Sequence, residues 1–310
     1  MASLQQRDDA RWGVILLAHG APERLVDIPA FLLSLRNGRP LPQAAVEEIV
    51  ERYRLIGGGS PLTKLTRCQA AALAARLRRP VYVGMRNWRP YIAEAVSQAL
   101  KDGLERAVAV CLAPQNSRTS VGLYRRYLEE ARDKLAPGLA LDFVESWHDH
   151  PGLIAAFGER AAAALGRMEA EAGESATVIF SAHSVPERTI REGDPYERQV
   201  GETARLVAEA LNLGSSRWSV AFQSQGMTPE PWIGPTVESE IDRWAAAGHR
   251  YILVAPVGFV CDHVEILYDI DIGFRKYAEA KGVSLARSES LNDSPAFVQA
   301  LADLVSRIED

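Results

Sequence analysis

The sequence predicts an α/β protein made of two similar halves, each a parallel sheet flanked by helices. Three observations carry this reading. Short apolar strands alternate with longer helical patterns along the whole chain, the signature of βαβ units. The stretch Val14-Ile15-Leu16-Leu17-Ala18-His19-Gly20-Ala21-Pro22-Glu23-Arg24 returns as Val178-Ile179-Phe180-Ser181-Ala182-His183-Ser184-Val185-Pro186-Glu187-Arg188, with seven of eleven positions identical. Finally, 310 residues suffice for two units of ordinary size, each with its own core.

In the first half, strands are expected at 12–18, 80–84, 107–112 and 139–144, with helices at 66–77, 91–101 and 122–135 between them. In the second half, strands are expected at 177–182, 218–223, 251–257 and 283–287, with helices at 197–210 and 237–247. A weaker echo supports the duplication: Arg106-Ala107-Val108-Ala109-Val110-Cys111-Leu112-Ala113-Pro114 resembles Arg250-Tyr251-Ile252-Leu253-Val254-Ala255-Pro256. The halves are expected to be 1–148 and 149–310, divided in the turn Trp147-His148-Asp149-His150-Pro151. A last helix over 295–308 carries Phe297, Leu301, Leu304, Val305 and Ile308 at helical spacing. It is expected to cover a sheet, with the first half a candidate.

Composition narrows the function. Hydrophobic content of 47% and charged content of 24% exclude wholesale disorder. A net charge of -5 argues against nucleic-acid binding, which needs a basic surface, yet permits a local basic patch for a small anion. Cys68, Cys111 and Cys261 show no C-x-x-C spacing, so neither a disulfide framework nor a tetra-cysteinyl cluster is expected. The first eleven residues lack the apolar core of a signal peptide, and no apolar run approaches the ~20 residues of a membrane-spanning helix. A soluble, cytoplasmic protein is expected.

The chemistry is expected at strand exits, because ligands of open α/β sheets bind beyond the carboxyl ends of the strands. His19 and His183 both stand there, and imidazole is both a metal ligand and a base near neutral pH. The segment Cys261-Asp262-His263-Val264-Glu265-Ile266-Leu267-Tyr268-Asp269 reads as a strand exit leading into a helix, with Glu265 and Asp269 on one face. Asp262 and Glu265 also have the D-x-x-E spacing of a capping box, which would confine Glu265 to a structural role. If Glu265 instead faces His183, the pair suits Fe²⁺ better than Ca²⁺ or Mg²⁺. The loop from Gln223 through Met227 and Thr228 to Pro235 carries Trp232 and is either a pocket wall for a flat apolar ligand or a surface connection. Gly57-Gly58-Gly59-Ser60, flanked by Arg52 and Arg54, lacks the P-loop pattern and is either an anion cradle or an inter-helix loop. His148 and His150 form an H-x-H pair without a third ligand nearby, which favours a polar turn over a metal site.

Five segments in order resemble the ferrochelatase family: Ile56-Gly57-Gly58-Gly59-Ser60-Pro61-Leu62, Ser181-Ala182-His183-Ser184-Val185-Pro186, Gly193-Asp194-Pro195-Tyr196, Gln223 through Pro235, and Cys261 through Asp269. The resemblance implies two Rossmann-like, chelatase-type halves with a porphyrin cleft between them, and insertion of Fe²⁺ into that porphyrin. It places the catalytic and metal-binding roles on His183 and Glu265, which makes 149–310 the metal-binding, catalytic half and 1–148 the porphyrin-gripping half. A base of pKa about 6.5 beside a carboxylate is suited to take the pyrrole protons that leave as metal enters.

The wording from Gln223 to Trp232 resembles the coproporphyrin III branch, whose propionate-binding positions fall on Arg36, Arg52, Tyr53, Ser60 and Tyr124. His19 stands where that branch often has Tyr, over the porphyrin face, as a potential axial ligand of the product iron. The "AHG" wording at His19 is also similar to small sirohydrochlorin chelatases. Gly273 replaces an acid that some relatives carry on the face of Glu265 and Asp269. The resemblance implies Fe²⁺ and coproporphyrin III as substrates, no tightly bound cofactor, no iron–sulfur cluster, and room for transient contact with the next haem-pathway enzyme. Protoporphyrin IX is the alternative substrate. A cobalt or nickel tetrapyrrole chelatase and a non-catalytic tetrapyrrole carrier are the alternative functions.

Overall fold

Two four-stranded sheets, parallel at every pairing, organise the computed structural model, which describes residues 11–36, 38–226 and 229–309. The first contains β1 (Trp12–Ala18), β2 (Val81–Met85), β3 (Arg106–Cys111) and β4 (Ala140–Val144), in the order β2-β1-β3-β4. The second contains β5 (Thr177–His183), β6 (Trp218–Gln223), β7 (Tyr251–Ala255) and β8 (Ser284–Arg287), in the matching order β6-β5-β7-β8. The duplicated strand is thus central in each sheet. The chain leaves it to one side and returns on the other, so His19 and His183 sit at topological switch points.

The strands are apolar throughout because both faces are covered. Val14 and Leu16 point to one face of β1 and Ile15 and Leu17 to the other, and all four are fully buried. One face of each sheet joins a single shared core. Leu16, Val110, Phe180 and Leu253 meet there with Leu153, Phe157, Phe297 and Leu301 from helices Pro151–Ala172 and Pro295–Glu309. The outer faces have separate cores, one around Ile15 and Ala109 and one around Ile179 and Val254.

The last helix packs against β3 and helices Leu62–Leu77 and Pro151–Ala172. Arg106 Nη2 donates to the Ile308 carbonyl at 3.1 Å, so the end of the chain is fastened to the first half. Helix Pro151–Ala172, the longest among the described residues, lies outside the expected elements, because glycines at 152, 158 and 166 blur its apolar period. Its start is nonetheless well made: Pro151 takes the first turn, and His150 Nδ1 accepts the Gly152 N–H at 3.2 Å. His148 turns elsewhere, its Nε2 3.0 Å from Glu202 and its Nδ1 2.8 Å from Ser146 Oγ. The H-x-H pair therefore shares no ligand-binding direction.

Strand β7 stops at Ala255, two residues short of the expected 257, because Pro256 has no N–H to continue the ladder. Helix Leu62–Leu77 starts four residues before the expected 66. The chain passes from the Gly-rich turn into it through Gly59, where a Cβ would lie 2.1 Å from the Glu23 carbonyl. Ser60 N–H donates to the Pro22 carbonyl at 2.9 Å, so the glycine run holds the chain against the exit of β1. Among the described residues no helix is long and apolar enough to cross a membrane.

Candidate active site

Three imidazoles are presented in the same way. His19 Nδ1 donates to the Gly20 carbonyl at 2.9 Å, His183 Nδ1 to the Ser184 carbonyl at 2.5 Å, and His263 Nδ1 to the Cys261 carbonyl at 2.9 Å. A carbonyl can only accept, so each ring donates through Nδ1–H and turns Nε2 away from the backbone.

The backbone fixes each ring. His19 follows β1, and its carbonyl accepts Asn87 N–H at 2.9 Å. The His183 carbonyl accepts the Tyr196 hydroxyl at 2.9 Å, while Ser184 is held by its N–H to Gln223 (2.7 Å) and its hydroxyl to Ile233 (2.7 Å). Gly258 lets the β7 exit close onto β5, since a Cβ there would sit 2.5 Å from Ala182 Cβ.

The imidazoles of the second half converge on Glu265. Its Oε2 lies 3.8 Å from His183 Nε2 and 3.6 Å from His263 Nε2. Burial opposes the carboxylate's charge, but the three neighbouring histidines outweigh it, led by His183, and the Glu265 pKa falls to about 2. His263 shows the reciprocal effect: burial disfavours its charged form, and Glu265 more than compensates, raising its pKa. On the other half, burial and the nearby Arg86 lower His19 to about 4, so it is a neutral imidazole at physiological pH.

These groups share one cavity of about 420 Å³ between the halves, lined by His19, Arg86 and Tyr124 on one side and His183, Trp232 and Glu265 on the other. Trp232, the aromatic of the Gly/Pro-rich loop, therefore stands in its wall, 6.4 Å from His183 ring to ring. Met227 and Thr228 of that loop lie outside the described residues. Among the described residues no three His, Cys, Asp or Glu side chains close up into a ready metal cage.

Glu265 opens the expected helix, and Glu265–Phe274 is wound as a π-helix. π segments are rare and concentrate at functional sites. The capping box is not formed. Asp262 instead accepts Ser290 Oγ at 2.7 Å and Asn292 Nδ2 at 2.9 Å, which leaves Glu265 free to face the cavity. Arg287, from the end of β8, holds Asp271 through two bonds of 2.8 and 2.9 Å and reaches Asp262 at 3.4 Å. Gln223 Nε2 donates to the Glu265 carbonyl at 2.9 Å. The segment is thus tied to both β6 and β8. Further along it, Asp269 accepts the Ser224 hydroxyl at 2.6 Å, and burial raises its pKa. A second cavity, about 400 Å³, opens there, lined by Arg52, Ser224, Tyr268, Asp269 and Gly273.

The remaining candidates are spread around the first half. Tyr124 lines the central cavity, but Arg36, Arg52, Tyr53 and Ser60 do not. Arg36 is exposed and donates to the Pro40 carbonyl at 3.2 Å. Arg52 is bound to Glu48 at 2.6 Å and lies 3.9 Å from Asp269. Tyr53 is buried beside Phe31 and Leu32, and burial raises its pKa. Ser60 is buried, with its Oγ accepting Leu62 N–H at 3.3 Å.

Several site residues were not singled out from the sequence. His263 sat inside a quoted motif, but only the turn after β7 brings it to Glu265. Tyr196 and Asp194 belong to the Gly193-Asp194-Pro195-Tyr196 segment, and the structure gives that segment two jobs. Tyr196 supports His183, and Asp194 Oδ2 accepts Arg118 N–H (2.8 Å) and Ser117 Oγ (3.2 Å) from the opposite half.

Known proteins resemble the chain in sequence and in fold. The family model described as Ferrochelatase matches residues 11–308. A ferrochelatase of Acidobacterium capsulatum is 48% identical, over 96% of this chain and 94% of its own. A coproporphyrin III ferrochelatase of Oceanobacillus iheyensis is 35% identical, over 95% of this chain and 96% of its own. In fold, the chain resembles SirB from Bacillus subtilis with Fe³⁺, at a TM-score of 0.59 and 13% identity over 96% and 95% of the two chains.

Proposed function

The chain belongs to the ferrochelatase family, and from that premise we propose that it inserts Fe²⁺ into coproporphyrin III, binding both as substrates. The observation that carries the site assignment is the meeting of His183 Nε2 and the Glu265 carboxylate, 3.8 Å apart, across the cavity from His19. An ionised carboxylate attracts the divalent cation, and an imidazole beside it suits proton transfer. In this reading His183 and Glu265 receive the metal and take the pyrrole protons, while His19 addresses the ring from its other side. The largely apolar cavity wall suits the macrocycle, and the polar groups orient it.

The choice of coproporphyrin over protoporphyrin rests on two supports. Relatives named coproporphyrin III ferrochelatases align over nearly the whole chain at 35% and 37% identity. The sequence resemblance assigns propionate-binding roles to Arg36, Arg52, Tyr53, Ser60 and Tyr124, and a more heavily carboxylated porphyrin uses more such donors. Anaerobic assays with Fe²⁺ and each porphyrin, followed at the Soret band, test the choice. A higher kcat/KM for coproporphyrin III is expected. Preference for protoporphyrin IX would overturn the substrate reading.

A further inference from the structure

We propose that Arg86 is a carboxylate-binding residue inside the cavity itself, and that it receives a propionate of the porphyrin. The inference rests on the substrate reading above and extends it to a residue with no assigned role.

Arg86 directly follows β2, and its N–H is fixed to the Ala18 carbonyl at 3.0 Å. Its side chain lines the central cavity. The guanidinium lies over the Tyr124 ring, 5.0 Å from its centre, which holds the planar group in one orientation. Its Nη1 is buried without a hydrogen-bond partner, and so is Nδ2 of the neighbouring Asn87. Among the described residues no carboxylate lies within 4.0 Å of Arg86, in contrast to Arg52, which has both Glu48 and Asp269.

A half-buried guanidinium with an unpartnered N–H and no counter-charge carries a desolvation cost, and a bidentate carboxylate offsets it better than a neutral group. A vinyl substituent placed there would remove water and give nothing back. Arg86 lines the cavity, whereas Arg36 and Arg52 do not. Arg86 is a donor separate from Arg36 and Arg52, and a porphyrin with more carboxylates can satisfy more of them. Coproporphyrin III has a propionate on every pyrrole ring, while protoporphyrin IX has them along one edge only. Arg86 thereby becomes a determinant of specificity.

The test measures binding of metal-free coproporphyrin III and protoporphyrin IX to wild type, Arg86→Gln and Arg86→Lys by fluorescence quenching. Arg86→Gln is expected to raise Kd for coproporphyrin about tenfold or more, the scale of one charge-assisted bond. Kd for protoporphyrin should rise far less. Arg86→Lys should recover part of the loss, since it restores charge but not the planar fork. If Arg86→Gln does not fold, the Lys variant against wild type decides, because a point charge still weakens coproporphyrin selectively. Equal weakening of both porphyrins, or of neither, overturns the proposal. The wild-type turnover preference judges the substrate reading separately, so either can fail alone.

Discussion

An imidazole that spends its Nδ1–H on a backbone carbonyl has one nitrogen left for chemistry, and His19, His183 and His263 are all in that state. Of the three, His183 alone ends a strand and lies close to Glu265. His183→Ala should abolish metal insertion while leaving porphyrin binding detectable as a Soret shift, and surviving turnover would refute its role. Tyr196→Phe removes the hydroxyl that supports the His183 carbonyl. Supporting residues behind a reacting ligand typically count for about 10- to 100-fold, so kcat should fall within that range with porphyrin Kd unchanged. If Kd moves with kcat, Tyr196 shapes the pocket rather than the histidine. The placement of His183 and Glu265 at one cavity was legible because each sits in a motif at a strand exit. That of His263 and Arg86 was not, since it depends on what lies across a turn or on the absence of a partner, and neither has a linear pattern.

The π-helix from Glu265 to Phe274 is the element on which the site depends. Glu265, Asp269 and Gly273 are spaced four apart, a pattern equally compatible with α and π geometry, so the sequence predicts a helix without its winding. Tertiary ties distinguish the two: Gln223 holds the Glu265 carbonyl, and Arg287 spans Asp262 and Asp271. Arg287→Met should cost roughly 3 kcal/mol in chemical denaturation, the low end for breaking a buried ion pair. The low end applies because Asp262 and Asp271 keep 21% and 26% of their side-chain surface exposed. A loss under about 1 kcal/mol, the scale of a surface pair, would show that the ties are incidental. The Gly-rich segment carries a similar lesson. Its glycines were open to an anion-binding reading, and Gly59 proves to be required by the close approach of the Glu23 carbonyl.

At the scale of the molecule, the two sheets share one core. Leu301 from the last helix is fully buried in it. Leu301→Ala should cost about 2–5 kcal/mol by loss of buried methyl groups and the cavity left behind, measurable as a lower denaturation midpoint. The turn between the halves adds a pH dependence. Burial, aided by Arg307, holds the His150 pKa below its ordinary value. Below about pH 6.5 the unfolded chain therefore binds a proton that the folded chain refuses, and stability falls as pH drops. His150→Asn retains a helix-capping acceptor without titrating, so its melting temperature should fall less than that of wild type between about pH 7 and 5. Parallel curves would remove His150 from the account. The amino-acid sequence by itself determined the α/β class, the parallel strands and the duplicated histidine, because apolar runs and strand exits are local patterns with a fixed meaning. Only the tertiary structure decided what each histidine faces. Whether a histidine faces a carboxylate or an arginine depends on which loop folds over which strand end, and that is set by packing between residues far apart in the chain.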